Sequence, residues 1–214
     1  MTTRLKICGL TNLADARYCA AAGADYLGFI QYEGSPRYVD PATAREIIGW
    51  VYGAQAVGVF VNADADTINR TAEDTGFALV QLHGEEPPEV CAAVERPVIK
   101  ALHVGPATTV DDLRRLMERY APHVAYFLLD TRSHRARGGT GERFDWDRAA
   151  PLTKDYPVFL AGGIDATNVA EAVARVAPFA VDLSSSLEAE PGRKDFDKLA
   201  AFFEAWDALA RSTS

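Results

Sequence analysis

Short apolar runs alternate along this chain with amphipathic stretches of helical period. Residues 55–61 read Gln-Ala-Val-Gly-Val-Phe-Val, almost continuously apolar after the first position. A run of that length and composition predicts a strand covered on both faces, as in a parallel sheet. Similar runs predict strands over 4–10, 24–31, 77–83, 97–104, 124–131, 157–162 and 179–184. Between them, apolar residues recur at helical spacing, as with Leu13, Ala16 and Ala20 before Gly23. This predicts helices over 12–23, 41–51, 64–75 (closed by Gly76), 87–95, 109–120, 146–154, 167–176 and 194–210. The chain is therefore read as eight consecutive strand–helix units. Right-handed crossovers between such units make a parallel sheet. Eight of them match a single-domain α/β fold, a closed (β/α)8 TIM barrel over residues 1–214. An open doubly wound sheet is the alternative. That fold gathers its ligand at one switch point, whereas here the chemically suggestive residues follow many different strands.

Composition narrows the partners. With 214 residues, 48% hydrophobic and 24% charged, the chain reads as a globular domain able to bury a core without staples. The net charge of -8 argues against nucleic acid or an anionic membrane surface, both of which want a basic face. It leaves room for a phosphorylated small molecule, which backbone N–H groups can hold. Three cysteines, Cys8, Cys19 and Cys91, are too few for a disulfide framework, and no CxxC or Cys/His cluster points to zinc. A reducing, cytoplasmic setting is expected. No signal peptide and no membrane-spanning run is expected either.

The candidate chemistry lies at strand ends, where a barrel of this kind places its active site. Cys8 ends the first predicted strand in Lys6-Ile7-Cys8-Gly9-Leu10-Thr11. If Cys8 points inward, so does Lys6 two residues below, and an ammonium there favours the thiolate. Asp130 ends the sixth strand after Ala-Tyr-Phe-Leu-Leu, an apolar setting that raises a carboxyl pKa toward the range of a general acid. Around a ring of eight strands the two would face each other across the barrel mouth. That suits acid–base work on opposite sides of one substrate, rather than a nucleophile–base pair in contact. Glycine-rich turns at Gly138-Gly139-Thr140-Gly141 and Gly162-Gly163, with Ser184-Ser185-Ser186, follow strands six, seven and eight. Such turns admit a phosphate to the backbone. Arg37, in Ser35-Pro36-Arg37 after strand two, is suited to clamp a carboxylate. His83 ends strand four, and Asp182 lies near the end of strand eight, where it could pair with Lys6. Segment 132–143 is long enough to be an active-site lid and carries Arg132, Arg135 and Arg137.

Taken together these motifs closely resemble the phosphoribosylanthranilate isomerase family. To those above are added Gly58-Val59-Phe60-Val61-Asn62, Gln81-Leu82-His83-Gly84, Leu160-Ala161-Gly162-Gly163-Ile164 and Val181-Asp182-Leu183-Ser184-Ser185. They stand in the family's order and cover essentially the whole chain. The resemblance implies an Amadori rearrangement of N-(5-phosphoribosyl)anthranilate in tryptophan biosynthesis, with Cys8 as general base and Asp130 as general acid. It implies phosphate binding by Gly139, Gly141, Gly162, Gly163, Ser184 and Ser185, and substrate contacts from Arg37, His83 and Asp182. No metal and no organic cofactor is implied, and monomer and homodimer both remain open. Two stretches depart from the family pattern. Ser186 stands where the family usually has Gly, and Gln31-Tyr32-Glu33-Gly34 puts the anion of Glu33 close in sequence to Arg37. Two other readings keep the same cradle: an isomerase for another phosphorylated aminosugar, and a non-catalytic phosphate-ligand barrel.

Overall fold

The computed structural model describes residues 3–105, 107–131 and 146–212. Along the chain lie β1 (Arg4–Cys8), α1 (Leu13–Ala21), β2 (Tyr26–Ile30), α2 (Pro41–Gly49), β3 (Gln55–Phe60), α3 (Ala65–Thr75), β4 (Leu79–Leu82) and α4 (Pro88–Ala93). These are followed by β5 (Val98–Val104), α5 (Val110–Tyr120), β6 (Tyr126–Thr131), α6 (Trp146–Ala149), β7 (Val158–Leu160), α7 (Val169–Val176) and β8 (Ala180–Leu183). The chain closes with a small hairpin, β9 (Glu188–Glu190) and β10 (Arg193–Lys194), and α8 (Phe196–Ser212). Strands β1 to β8 form a closed parallel barrel in sequence order, β8 pairing back onto β1 with Lys6 opposite Asp182. The expected (β/α)8 architecture is the one observed.

Local chemistry explains the element boundaries. Asn12, Asp40, Asp64 and Thr109 each accept a backbone N–H at the third position of their helix, satisfying donors that have no partner within it. Helix α3 ends where Gly76 turns left-handed at φ +85°. The helix expected over 146–154 is shorter: α6 stops at Ala149 and the chain goes on as turns. The last helix starts at Phe196 rather than 194, because Arg193 and Lys194 belong to the hairpin. Pro191-Gly192 makes its turn, with Gly192 at φ +85°.

Strand alternation divides the core into two layers. Leu5, Ile7, Leu27, Phe29, Val80, Leu82, Phe127, Leu129, Val181 and Leu183 pack outward under the helices. Tyr26, Val57, Leu79, Ile99, Leu128, Phe159 and Ala180 fill the barrel interior. The interior positions continue upward along the same parity, which carries Cys8, His83, His103, Asp130 and Asp182 to the C-terminal mouth.

Candidate active site

At that mouth lies a cavity of about 420 Å³. Its wall includes Cys8, Arg37, Gln81, His83, Asp130 and Asp182. Gly162, Gly163, Ser184, Ser185 and Ser186 line it as well. Among the described residues, the fold thus brings together every position singled out from the sequence as catalytic, substrate-binding or phosphate-binding. Gly139, Gly141 and the whole of 132–143 lie outside the described residues.

Cys8 is 6% exposed at the tip of β1. Opposite it in β2 stands Gly28, where an added Cβ would fall 2.7 Å from the Cys8 sulfur. The missing side chain is the space the thiol occupies. Below, the ammonium of fully buried Lys6 donates from Nζ to Asp182 Oδ1 at 2.9 Å. Burial works against the Lys6 charge, but Asp182 and Cys8 outweigh it and hold the ammonium above its ordinary pKa. The thiol responds differently from the sequence expectation. Burial pushes Cys8 upward; Lys6 pulls it down, but Asp182 opposes that pull. The ammonium is present, but its charge is shared with a carboxylate, so the resting group is a thiol.

Arg37 is held by a partner the sequence reading did not identify. Its Nε and Nη2 donate to both oxygens of Glu188 at 2.6–3.0 Å. Hydrogen bonding to Glu188 raises the guanidinium pKa further. Burial alone would raise Glu188, but Arg37 and Lys194 hold it below the usual carboxylate range. Lys194 is buried in turn, and its Nζ donates to Cys8 O at 2.7 Å, Ser184 O at 3.1 Å and Glu188 Oε1 at 3.2 Å. One lysine therefore ties the backbone of the thiol, the β8 turn and the arginine clamp together. Glu33, by contrast, is exposed and is not part of the cavity wall, so the anion facing Arg37 is Glu188. The loop bearing Arg37 is pinned by the Ile30–Tyr38 bridge and by the Ser35 hydroxyl, which accepts Arg37 N–H at 3.1 Å.

On the far wall, His83 Nε2 lies 3.7 Å from Asp130 Oδ2. Gln81 Nε2 and His83 Nδ1 are 2.8 Å apart. Burial, with His103, Lys6 and Lys100 nearby, lowers His83 to a pKa of about 3. That shift favours the neutral imidazole. His103, beside Asp130 in the β5–β6 register, was not anticipated as a site residue. Its ring packs edge-on against His83 at 5.0 Å. The β4–α4 loop that follows His83 is fastened from the other face of the sheet. There buried Lys100 donates to Gly84 O and Glu86 Oε2, both at 2.7 Å.

After β7, Gly162 and Gly163 both adopt left-handed φ, +83° and +71°. Two consecutive residues of this kind are accessible without strain only to glycine, and both line the cavity rim. Ser184 and Ser185 carry hydroxyls to the adjoining turn after β8.

Comparison with known proteins agrees with this geometry. The profile of the family described as N-(5'phosphoribosyl)anthranilate (PRA) isomerase matches residues 5–205. The chain is 50% identical to N-(5'-phosphoribosyl)anthranilate isomerase of Citrifermentans bemidjiense over 198 residues, which span 92% of this chain and 93% of that protein. It is 49% identical to the protein of that name from a Geobacter species, over 94% of this chain and 96% of the relative. Among solved structures, phosphoribosyl anthranilate isomerase from Thermotoga maritima superposes with a TM-score of 0.87 at 39% identity, covering 97% of this chain and 100% of the other. A phosphoribosyl anthranilate isomerase in complex with reduced 1-(o-carboxyphenylamino)-1-deoxyribulose 5-phosphate gives 0.83 at 37% identity, with the same coverage. No helix among the described residues is long and apolar enough to cross a membrane. With the profile spanning nearly the whole barrel and relatives matched at half identity, the chain belongs to the N-(5'-phosphoribosyl)anthranilate isomerase family of tryptophan biosynthesis.

Proposed function

We propose that the cavity carries out the Amadori rearrangement of N-(5-phosphoribosyl)anthranilate by acid–base catalysis, with Asp130 as acid and Cys8 as base. The supporting observation is that the two groups, from the distant strands β6 and β1, line one cavity together with an arginine clamp and a glycine–serine rim. Protonated Asp130 gives its proton to the ribose ring oxygen. The C1–O bond breaks as the anthranilate nitrogen lone pair forms C1=N. Cys8, as thiolate, removes the C2 proton. The C2–H electrons become C1=C2, and the C1=N pair returns to nitrogen. The enolamine then tautomerises to the ketose, C1 gaining a proton as the C2 hydroxyl loses one.

The other candidate site residues have places in this scheme. Gly162, Gly163, Ser184 and Ser185 hold the phosphate, together with Gly139 and Gly141 from the segment outside the described residues. Arg37 faces the anthranilate carboxylate, with Glu188 fixing the plane of its guanidinium. Neutral His83 donates or accepts hydrogen bonds without competing for the transferred proton. Asp182 acts through Lys6: the ion pair keeps a cation near Cys8 while the thiolate forms. Remote phosphate binding aligns the sugar between acid and base.

The test is a fluorescence assay of the anthranilate adduct with wild type, Cys8→Ser and Asp130→Asn. Each substitution is expected to lower kcat by at least roughly 10²-fold, the scale of a positioned acid or base. Turnover within threefold of wild type in either folded variant would remove that residue from its role.

A further inference from the structure

Three interior-facing positions on neighbouring strands meet beside the proposed acid. His83 follows β4, His103 lies in β5, and Asp130 lies in β6 as the register partner of His103. One ligand atom from each lies within 4.8 Å of the others. His83 Nε2 and Asp130 Oδ2, at 3.7 Å, are already near the ~3.3 Å edge of a tetrahedral site with bonds of about 2.0–2.1 Å. His103 is exposed, and its ring can close the remaining gap by side-chain rotation. Its Nε2 now rests 3.1 Å from the carbonyl oxygen of His83.

One further feature favours a cation here. Beside His83, Gln81 is 1% exposed, and its Oε1 has no hydrogen-bond partner among the described residues. Turning that amide places Oε1 on His83 Nδ1, 2.8 Å from the amide atom now there. The imidazole then donates from Nδ1, and the Nε2 lone pair points toward Asp130. A ligating histidine whose other nitrogen donates to a carbonyl is the usual outer-shell arrangement of a metal site.

We propose that His83, His103 and Asp130 form an inhibitory site for a divalent transition-metal cation of the zinc class. Two imidazoles and one carboxylate suit Zn²⁺ or Co²⁺ rather than Mg²⁺ or Ca²⁺, which prefer all-oxygen shells. The cation takes the Asp130 oxygen that would carry the transferred proton and releases that proton to solvent, so the acid is lost while the metal stays bound. The inhibition, though not the binding, rests on Asp130 being the acid.

Titration with Co²⁺, followed by its visible ligand-field bands, reads the site without reference to turnover. Wild type is expected to bind one equivalent, which Zn²⁺ displaces. His103→Ala is expected to weaken binding by roughly 100-fold or more, since even loss of an outer-shell partner costs about 10–100-fold. Measured against its own metal-free turnover, the same variant should resist zinc by a matching factor. The Cys8→Ser spectrum should be unchanged. Failure to bind Co²⁺, binding that His103→Ala leaves intact, or bands that vanish in Cys8→Ser would each overturn the site. If the metal binds as described but turnover persists, the inhibitory role falls. The Asp130→Asn assay then distinguishes the causes: activity in that variant removes Asp130 as acid, and inactivity leaves the acid assignment standing.

Discussion

Gly28→Ala sets one methyl group against the proposed base. The new Cβ would stand 2.7 Å from Cys8 Sγ, 3.1 Å from Cys8 Cα and 3.2 Å from Cys8 Cβ. Comfortable non-bonded contact begins near 3.5 Å, so the sulfur contact is short by ~0.8 Å. Two of the three contacts are with atoms close to the backbone, so a rotamer change of the thiol relieves only part of the overlap. Overpacking of this kind costs about 1–3 kcal/mol. At ~2–4 °C per kcal/mol for a chain of this size, Tm should fall by ~2–12 °C with the barrel intact. The catalytic effect should be larger in proportion, because displacing a reacting group by about 1 Å costs roughly 10²-fold. The phosphate rim lies on other strands, so kcat should drop with little change in KM. Steady-state kinetics by fluorescence, with a thermal melt by circular dichroism, measures both. In a Cys8→Ala background the same substitution should cost no further activity and less stability, since the sulfur contact is gone. A folded Gly28→Ala variant with kcat within threefold of wild type would refute the claim that the placement of Cys8 governs the reaction.

Three other outcomes are expected. Lys100→Met leaves the Glu86 carboxylate buried beside a lost cation and should cost about 3–5 kcal/mol in chemical denaturation, with Lys100→Met/Glu86→Gln recovering much of it; a loss under about 1 kcal/mol would mean the pair does not fasten the β4–α4 loop. Glu188 is depressed in the fold, so its stabilisation is complete above its unfolded value of about 4.5 and is lost as pH falls through the lower folded value; the Tm gap between wild type and Glu188→Gln should narrow on acidification, and a gap that widens would contradict the sign. Burial raises the Cys8 thiol above 9.0, so kcat/KM should climb from neutral into alkaline pH as the thiolate fraction grows, whereas a plateau below pH 7 would show a thiol depressed in the free enzyme.

The barrel was legible because its strands are buried on both faces and its helices on one, which writes two different periods into the chain. The same double burial conceals which strand face turns inward. Val57 and Phe60 are equally apolar, yet one fills the barrel and the other lies under the helices. Cys8, Asp130 and the Gly162-Gly163 turn stood out because reactive or permissive residues at the end of an apolar run have little structural reason to be there. His103 did not stand out, since Ala-Leu-His-Val reads as an ordinary strand and its meaning comes only from the register with Asp130. The partner of Arg37 lies 151 residues away in the chain, and no local pattern could pair it with Glu188 rather than with nearby Glu33. Pro191-Gly192 did offer a turn signal for the hairpin carrying Glu188 and Lys194, but the residues after it were absorbed into the last helix.

That hairpin bears on how acid–base geometry is kept in a barrel whose mouth is built from loops. Cys8 sits at a strand tip, where the backbone begins to leave the ladder, and there Lys194 captures the Cys8 carbonyl together with that of Ser184. The same ammonium meets Glu188, which grips Arg37. The base, the turn after β8 and the arginine clamp therefore share one buried cation, and a shift in any of them strains the other two. On the opposite wall, Lys100 binds the carbonyls of Leu82 and Gly84 on either side of His83. Each wall is thus anchored by a buried lysine donating to main-chain oxygens next to a site residue. The carboxylate that balances each charge, Glu188 at the start of the hairpin or Glu86 in the β4–α4 loop, comes from outside the barrel strands. The main chain beside the positions that face substrate is thus held from behind. For this reason substitutions at Lys194 should alter both kcat and KM, whereas those at Cys8 should alter kcat alone.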